Sequence, residues 1–169
     1  MIAVDTNLLV YAHREDSPWH AAACRVISEL AEGSSLWGIP WPSIHEFLAI
    51  VTHPRIYNPP TPLGNALDQV DAWIQSPHLV LLSEEARGSG FGRPNVGRGG
   101  IGASNSPHRI EGYWQKLQPL LKQGQIVGPQ VHDARIAAIC SLHGVRELWT
   151  ADRDFGRFPN LAVRNPMVA

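Results

Sequence analysis

Five carboxylates fall where a predicted strand ends or a predicted helix begins: Asp5 in IAVDTN, Glu46 in SIHEF, Asp133 in VHDAR, and Asp152 and Asp154 in TADRDF. Each has an ordinary explanation. Asp5 suits a turn or a helix cap. Glu46 stands three residues after Ser43, so SIHE reads as a capping box. Asp133 in a first helical turn complements the helix dipole, and Asp152 caps the turn after a strand. Their combination is less ordinary. With Asp5 and Asp152 ending neighbouring parallel strands, and Glu46 and Asp133 opening helices that face them, four anions share one crevice. Such a cluster repels itself in a partly desolvated cleft and is stable only with bound cations or raised pKa values. Ligation by carboxylate oxygens suits Mg²⁺ or Mn²⁺, and metal-assisted phosphodiester hydrolysis is the chemistry that fits.

The elements that must position these acids follow from local pattern. Ile2-Ala3-Val4 reads as a strand buried on both faces, with Asp5 at its carboxyl end. LLVYAHRED is a short helix or turn, and Ser17-Pro18 opens a helix that stops at Gly33. SLWGIPW is a brief strand or edge segment leading into a helix over SIHEFLAIVTH. Thr61-Pro62 starts a third helix with Leu63, Ala66, Leu67, Val70 and Ile74 on one face, and HLVLL is a buried strand. Helices over GYWQKLQPLLKQG and VHDARIAAICSLHG, the second ending at Gly144, precede strands RELWT and LAVRN, with a turn at TADRDFGRF between them. Strands alternating with helices predict a parallel sheet covered on both sides.

Length and composition limit the alternatives. The 169 residues fit one domain, 1–169, able to bury a core without disulfides or metals. With 14 Lys+Arg against 15 Asp+Glu, global charge favours neither nucleic acid nor membrane, so any such binding needs a local patch. Cys24 and Cys140 sit in apolar helical patterns, as small buried thiols do. The first residues lack a basic segment followed by a long apolar one, and no apolar run is long enough for a span, so a soluble cytoplasmic protein is expected.

These residues resemble the PIN-domain ribonucleases, and among them the VapC-type toxins of toxin–antitoxin systems. The resemblance is carried by IAVDTNLLVYA, IPWPSIHEFLAIVTHPRIY, VHDARIAAIC and LWTADRDFGRFPNLAVRNP, in order from one end of the chain to the other. It implies the α/β class: a PIN-like three-layer α/β/α sandwich with a central, mainly parallel sheet. It also implies an endoribonuclease with Mg²⁺ or Mn²⁺ and single-stranded or structured RNA as substrate. Carried over residue by residue, the catalytic acids are Asp5, Glu46, Asp133 and Asp152. Asp5 and Asp133 are the most direct metal ligands, Glu46 and Asp152 act directly or through water, and Asp154 is a candidate extra contributor. Which carboxylate orients the attacking water stays open. Thr6, Asn7 and Thr150 match supporting polar positions. A homodimer with sites facing a common groove is implied, as is a VapB-type antitoxin that inserts residues near the acids.

The departure from the family is a Gly/Arg/Ser-rich insertion at about 87–110. It reads as a surface loop with little to bury. Its Arg87, Arg93, Arg98 and Arg109, with no acid between them, are alternative contacts for RNA phosphates. Rival chemistries fit less well. His45-Glu46 begins a zincin motif, but Ala49 replaces its second histidine. A haloacid-dehalogenase phosphatase resembles D-x-D, and here Asn7 takes the second place. His132 reads as a surface histidine at a helix start. Two alternatives share the fold: an inactive RNA- or protein-binding module, which has no reason to keep repelling acids, and a DNA-directed nuclease. Most of the six tryptophans, with apolar neighbours, are expected in the core or a subunit interface, although one or two are candidates for base stacking.

Overall fold

The computed structural model describes residues 1–85 and 108–168, with backbone alone over 108–111. The insertion therefore lies almost wholly outside the described residues, as do Arg87, Arg93, Arg98 and the side chain of Arg109. In chain order the elements are β1 (Ile2–Val4), α1 (Thr6–His13), α2 (His20–Glu32), β2 (Trp37–Pro40), α3 (Trp41–Val51), α4 (Leu63–Ile74) and β3 (Leu79–Leu82). They continue with α5 (His108–Gln123), α6 (Gln130–Leu142), β4 (Glu147–Trp149), a 3-10 helix (Arg153–Arg157) and β5 (Ala162–Arg164). All five strands are parallel, in the order β3-β2-β1-β4-β5.

That order makes β1 the centre. From β1 the chain winds outward through β2 to β3, then crosses back to lay β4 and β5 on the other side of β1. The direction of winding reverses there, and a crevice opens outside the carboxyl ends of the strands at such a point. Alternation along the strands feeds two cores. Ala3 and Leu148 pack with α5 and α6, whereas Val4, Trp37 and Ile39 pack with α1 to α4. The result is the three-layer α/β/α arrangement of a PIN-like fold. Phe47 on α3 keys the second core, in edge contact with Trp73 of α4 at 4.9 Å and His13 of α1 at 5.3 Å between ring centroids.

Several local expectations need correcting. β2 is interior rather than an edge. Its Pro40 is tolerated because it is the strand's last residue and caps α3 directly. Starting α3 at Trp41 places Ser43 inside the helix, where its buried hydroxyl has no hydrogen-bond partner among the described residues, so Ser43 and Glu46 form no capping box. α2 begins at His20, and Ser17 instead caps the turn before it by accepting from the Trp19 amide at 3.2 Å. On α4 the buried face is Ala66, Val70 and Trp73, leaving Leu63, Leu67 and Ile74 exposed. Trp37 and Trp73 are core residues, but Trp19, Trp41 and Trp114 are exposed.

Glycine matters at two helix ends. A Cβ on Gly33 would meet the Glu29 carbonyl oxygen at 2.8 Å, and Gly144 ends α6 at φ +64. Because Phe47 joins three helices and is fully buried, Phe47→Ala is expected to cost about 3–5 kcal/mol. Urea denaturation checks this, and a loss under about 1 kcal/mol would refute the keying role.

Candidate active site

Asp5 directly follows β1 and serves as the N-cap residue of α1, and its backbone N–H continues the ladder by donating to the Trp149 carbonyl at 3.0 Å. Val4 pairs with Trp149, so the next residue on β4's side is Thr150. Its hydroxyl donates to Asp5 Oδ2 at 2.7 Å, and Asn7 Nδ2, from the first turn of α1, donates to the same oxygen at 3.0 Å. Asn7 also bonds Thr150 Oγ1 at 2.8 Å and accepts from the Ala151 amide at 3.0 Å. The Asp152 amide donates to Thr150 Oγ1 at 3.0 Å. Thr6 reaches the other way and donates to Glu46 Oε2 at 2.7 Å.

These bonds surround a cavity of about 300 Å³ lined by Asp5, Thr6, Asn7, Glu46, Asp133 and Asp152, with walls that include Tyr11, Tyr57 and Phe155. The fold thus brings four of the five sequence-predicted acids to one cavity, with Thr6 and Asn7; Thr150 supports it from beneath. Asp154 is absent from the lining and pairs with Arg157 at 3.1 Å. His132 is exposed near the start of α6, away from the lining. Tyr11 and Tyr57 were not singled out by sequence. Tyr11 lies one turn after Asn7, a spacing that shares a helix face, whereas Tyr57 sits in a loop where no periodicity marks it. Arg14 lies over the Tyr57 ring at 4.0 Å and bonds Asp16, which fixes that wall.

Charge in this cavity is strained. Asp5 is 4% exposed, and burial raises its pKa from 3.8 to about 7. Hydrogen bonds from Thr150 and the Thr6 backbone oppose that rise, while the charges of Glu46 and Asp152 add to it. Asp133, half-buried, is also raised, first by burial and then by Asp152, with Arg157 opposing. The donors are all oxygens, and a hard divalent cation would relieve the repulsion, so the chemistry of the set fits Mg²⁺ or Mn²⁺. The fit has a limit: among the described residues no three His, Cys, Asp or Glu side chains converge closely enough to hold an ion as they stand. They line the cavity as a loose ring.

With that geometry, likeness to known proteins becomes informative. The chain is 25% identical to ribonuclease VapC48 of Mycobacterium tuberculosis over 162 residues, covering 96% of this chain and 94% of that one. It is 29% identical to ribonuclease VapC43 of the same species over 167 residues, covering 99% and 96%. The chain is a homologue of the VapC ribonucleases. Among solved structures, Mycobacterium tuberculosis VapC20 superposes at TM-score 0.60 with 13% identity, covering 97% of this chain and 99% of that one. VapBC2 from Rickettsia felis gives 0.58 with 18% identity, covering 97% and 98%. These share the VapC fold. No protein-family model matches the chain.

The raised Asp5 pKa sets a pH dependence. A carboxyl whose folded pKa lies above its unfolded value favours folding below about 3.8, and that contribution is lost as pH rises through about 7. In chelator the wild type should therefore lose stability from pH 5 to pH 8, by about 2–3 kcal/mol from this group. Asp5→Asn should flatten the loss and melt higher than wild type at pH 8. Parallel melting curves for the two proteins would contradict the assignment.

Proposed function

We propose that this VapC homologue is a divalent-metal-dependent endoribonuclease, the toxin of a VapBC-type pair. The observation that carries the reading is the loose ring of Asp5, Glu46, Asp133 and Asp152 around one cavity at the carboxyl edge of the sheet, with Asp5 buried and hydrogen-bonded from two side chains. Full-length likeness to proteins named ribonucleases supports RNA as the substrate. So does the neighbour VapC20, described as a sarcin–ricin loop cleaving toxin. The VapBC2 neighbour, a complex bound to a DNA fragment from its promoter, supports a VapB-type antitoxin as partner. We further propose a homodimer, a cytoplasmic location and one PIN-like domain over 1–169. Consistent with this location, no described helix is long and apolar enough to cross a membrane.

In this reading Asp5 and Asp133 hold Mg²⁺ or Mn²⁺ most directly, and Glu46 and Asp152 do so directly or through water. When bound, the cation would lower the pKa of an attacking water and offset charge on the scissile phosphate and leaving oxygen. The chain's own contribution is placement. Thr150 and Asn7 fix the Asp5 carboxylate, Thr6 fixes Glu46, and the Tyr11 and Tyr57 walls narrow the approach for water and substrate. One observation favours a second reading, a module that binds RNA or protein without cutting: no three acids converge among the described residues.

Cleavage of a mixed RNA pool by purified protein, freed of any copurified antitoxin, separates the two. Cutting should require Mg²⁺ or Mn²⁺, stop with chelator and fall at least about a hundredfold in Asp5→Asn and Asp133→Asn. Equal inertness of wild type and variants, with RNA or partner binding retained, would favour the module. A separate check concerns support beneath the ring. Thr150→Val removes a donor to Asp5 at nearly constant volume and should cost about 10- to 100-fold in activity or metal affinity. Thr150→Ser should restore most of it; wild-type activity and metal affinity in Thr150→Val would exclude a positioning role.

A further inference from the structure

A second cavity, of about 460 Å³, adjoins the acid-lined one and shares Tyr11 and Asp152 with it. Its other walls include Trp19, Arg153, Asn165 and Met167. Two shared residues make the cavities neighbours, so a polymer lying over the acids comes within reach of the second. The volume falls in the range of about 300–1,000 Å³ typical of small-molecule pockets.

The chemistry of this cavity suits a nucleotide. Trp19 is 42% exposed, although it sits beside two packed helices. It is held in place: its amide donates to Ser17 Oγ, and its carbonyl accepts from the Ala23 amide at 2.9 Å. A ring nitrogen of His20 meets the Tyr11 carbonyl at 3.1 Å, joining the end of α1 to the start of α2. Two aromatic residues are thus presented on braced backbone, which lowers the ordering cost of binding a flat ring. Arg153 supplies charge. Arg14, Arg135 and Arg157 are engaged by Asp16, Glu84 and Asp154, but Arg153 is exposed and in no ion pair among the described residues. Asn165 Oδ1 accepts from the Met167 amide at 3.0 Å, leaving its NH₂ able to donate to a base edge.

We propose that this groove, walled by Tyr11, Trp19 and Arg153, is a subsite for an unpaired RNA nucleotide adjoining the scissile phosphate, its base stacked on the aromatic wall and its phosphate met by Arg153. The proposal rests on the ribonuclease reading above and adds a substrate requirement. A base within a duplex is already stacked and paired, so only an unpaired nucleotide enters. The guanidinium can meet a phosphate, and the Tyr11 and Trp19 wall gives a base a face to stack on that an acidic peptide does not use.

The test is steady-state cleavage of a short single-stranded RNA spanning a site mapped with the wild type, alone and annealed to its complement. Trp19→Ala should raise KM roughly ten- to a hundredfold with a smaller effect on kcat, and Trp19→Phe should recover most of the loss. Arg153→Gln should raise KM several-fold and reduce the slope of log KM against log salt by about 0.7. The annealed strand should be cut poorly. Trp19→Ala kinetics equal to wild type on a strand that the wild type cuts would overturn the subsite and leave the ribonuclease reading standing. Trp19→Ala that loses a VapB-type antitoxin but keeps wild-type RNA kinetics would overturn it in favour of a protein surface. A wild type that cuts no RNA with either metal removes the underlying reading, and the subsite with it. Should Trp19→Ala fail to fold, Arg153→Gln still decides, because it leaves the packing of α2 in place, and a wild-type KM and salt slope in that variant would overturn the subsite.

Discussion

A carboxylate buried at the end of the central strand is the constraint around which the rest of this structure is arranged. Asp5 is nearly inaccessible, and an ionised carboxyl there is costly unless donors surround it. The donors come from two directions. The pairing of Val4 with Trp149 brings Thr150 alongside, and the immediate start of α1 brings Asn7 back within its first turn. Asn7 and Thr150 then hold the Ala151 and Asp152 amides, so the loop after β4 takes its path from the same network. A one-residue slip of β4 against β1 would move Thr150 away from Asp5 and turn its hydroxyl to the other face.

The remaining acids depend on how closely helices approach that point. α6 buries Ala134, Ala137 and Ala138, small side chains that let its backbone lie near the sheet and carry Asp133 to the cavity. On α3 adjacent positions diverge by about 100°, which sends Phe47 into the core and Glu46 to the cavity. The same contacts that fix Phe47 against Trp73 and His13 therefore set where Glu46 emerges, and Thr6 completes the placement. Core packing and site geometry are one problem on this helix.

Much of this was legible in the sequence. Short apolar runs named all five strands, and the Gly33 and Gly144 stops were placed correctly. The acids could be grouped because each follows a strand or starts a helix, and parallel topology gathers those points at one edge. What failed was local. Ser43 looks like a cap because S-x-x-E is a short-range pattern, but Pro40 ends β2 and caps α3 three residues earlier. The face of α4 was misread because Trp73, large and apolar, outweighed the leucine stripe in choosing what to bury. Tyr57 and the Trp19–Arg153 groove depend on loops far apart in sequence, and no pattern within either loop encodes the meeting.

The ordinary explanations for the acids also turned out to be true for some of them, and this does not weaken a catalytic reading. Asp152 does cap the 3-10 helix, its Oδ1 accepting from the Asp154 amide at 2.8 Å. Glu46 forms no capping box, but it does tether α3 to α1, its Oε2 accepting from the Thr6 hydroxyl. A carboxylate has two oxygens, and in both residues the second receives no hydrogen bond among the described residues. One oxygen orients the group and the other is left to take a ligand. A cap or tether fixes a ligand's direction at little entropic cost, so structural and chemical use of the same side chain reinforce each other. The loose spacing of the ring then has a physical sense: held half-fixed, the acids avoid the full repulsion of close approach, and on the proposed reading they would draw together around a divalent cation.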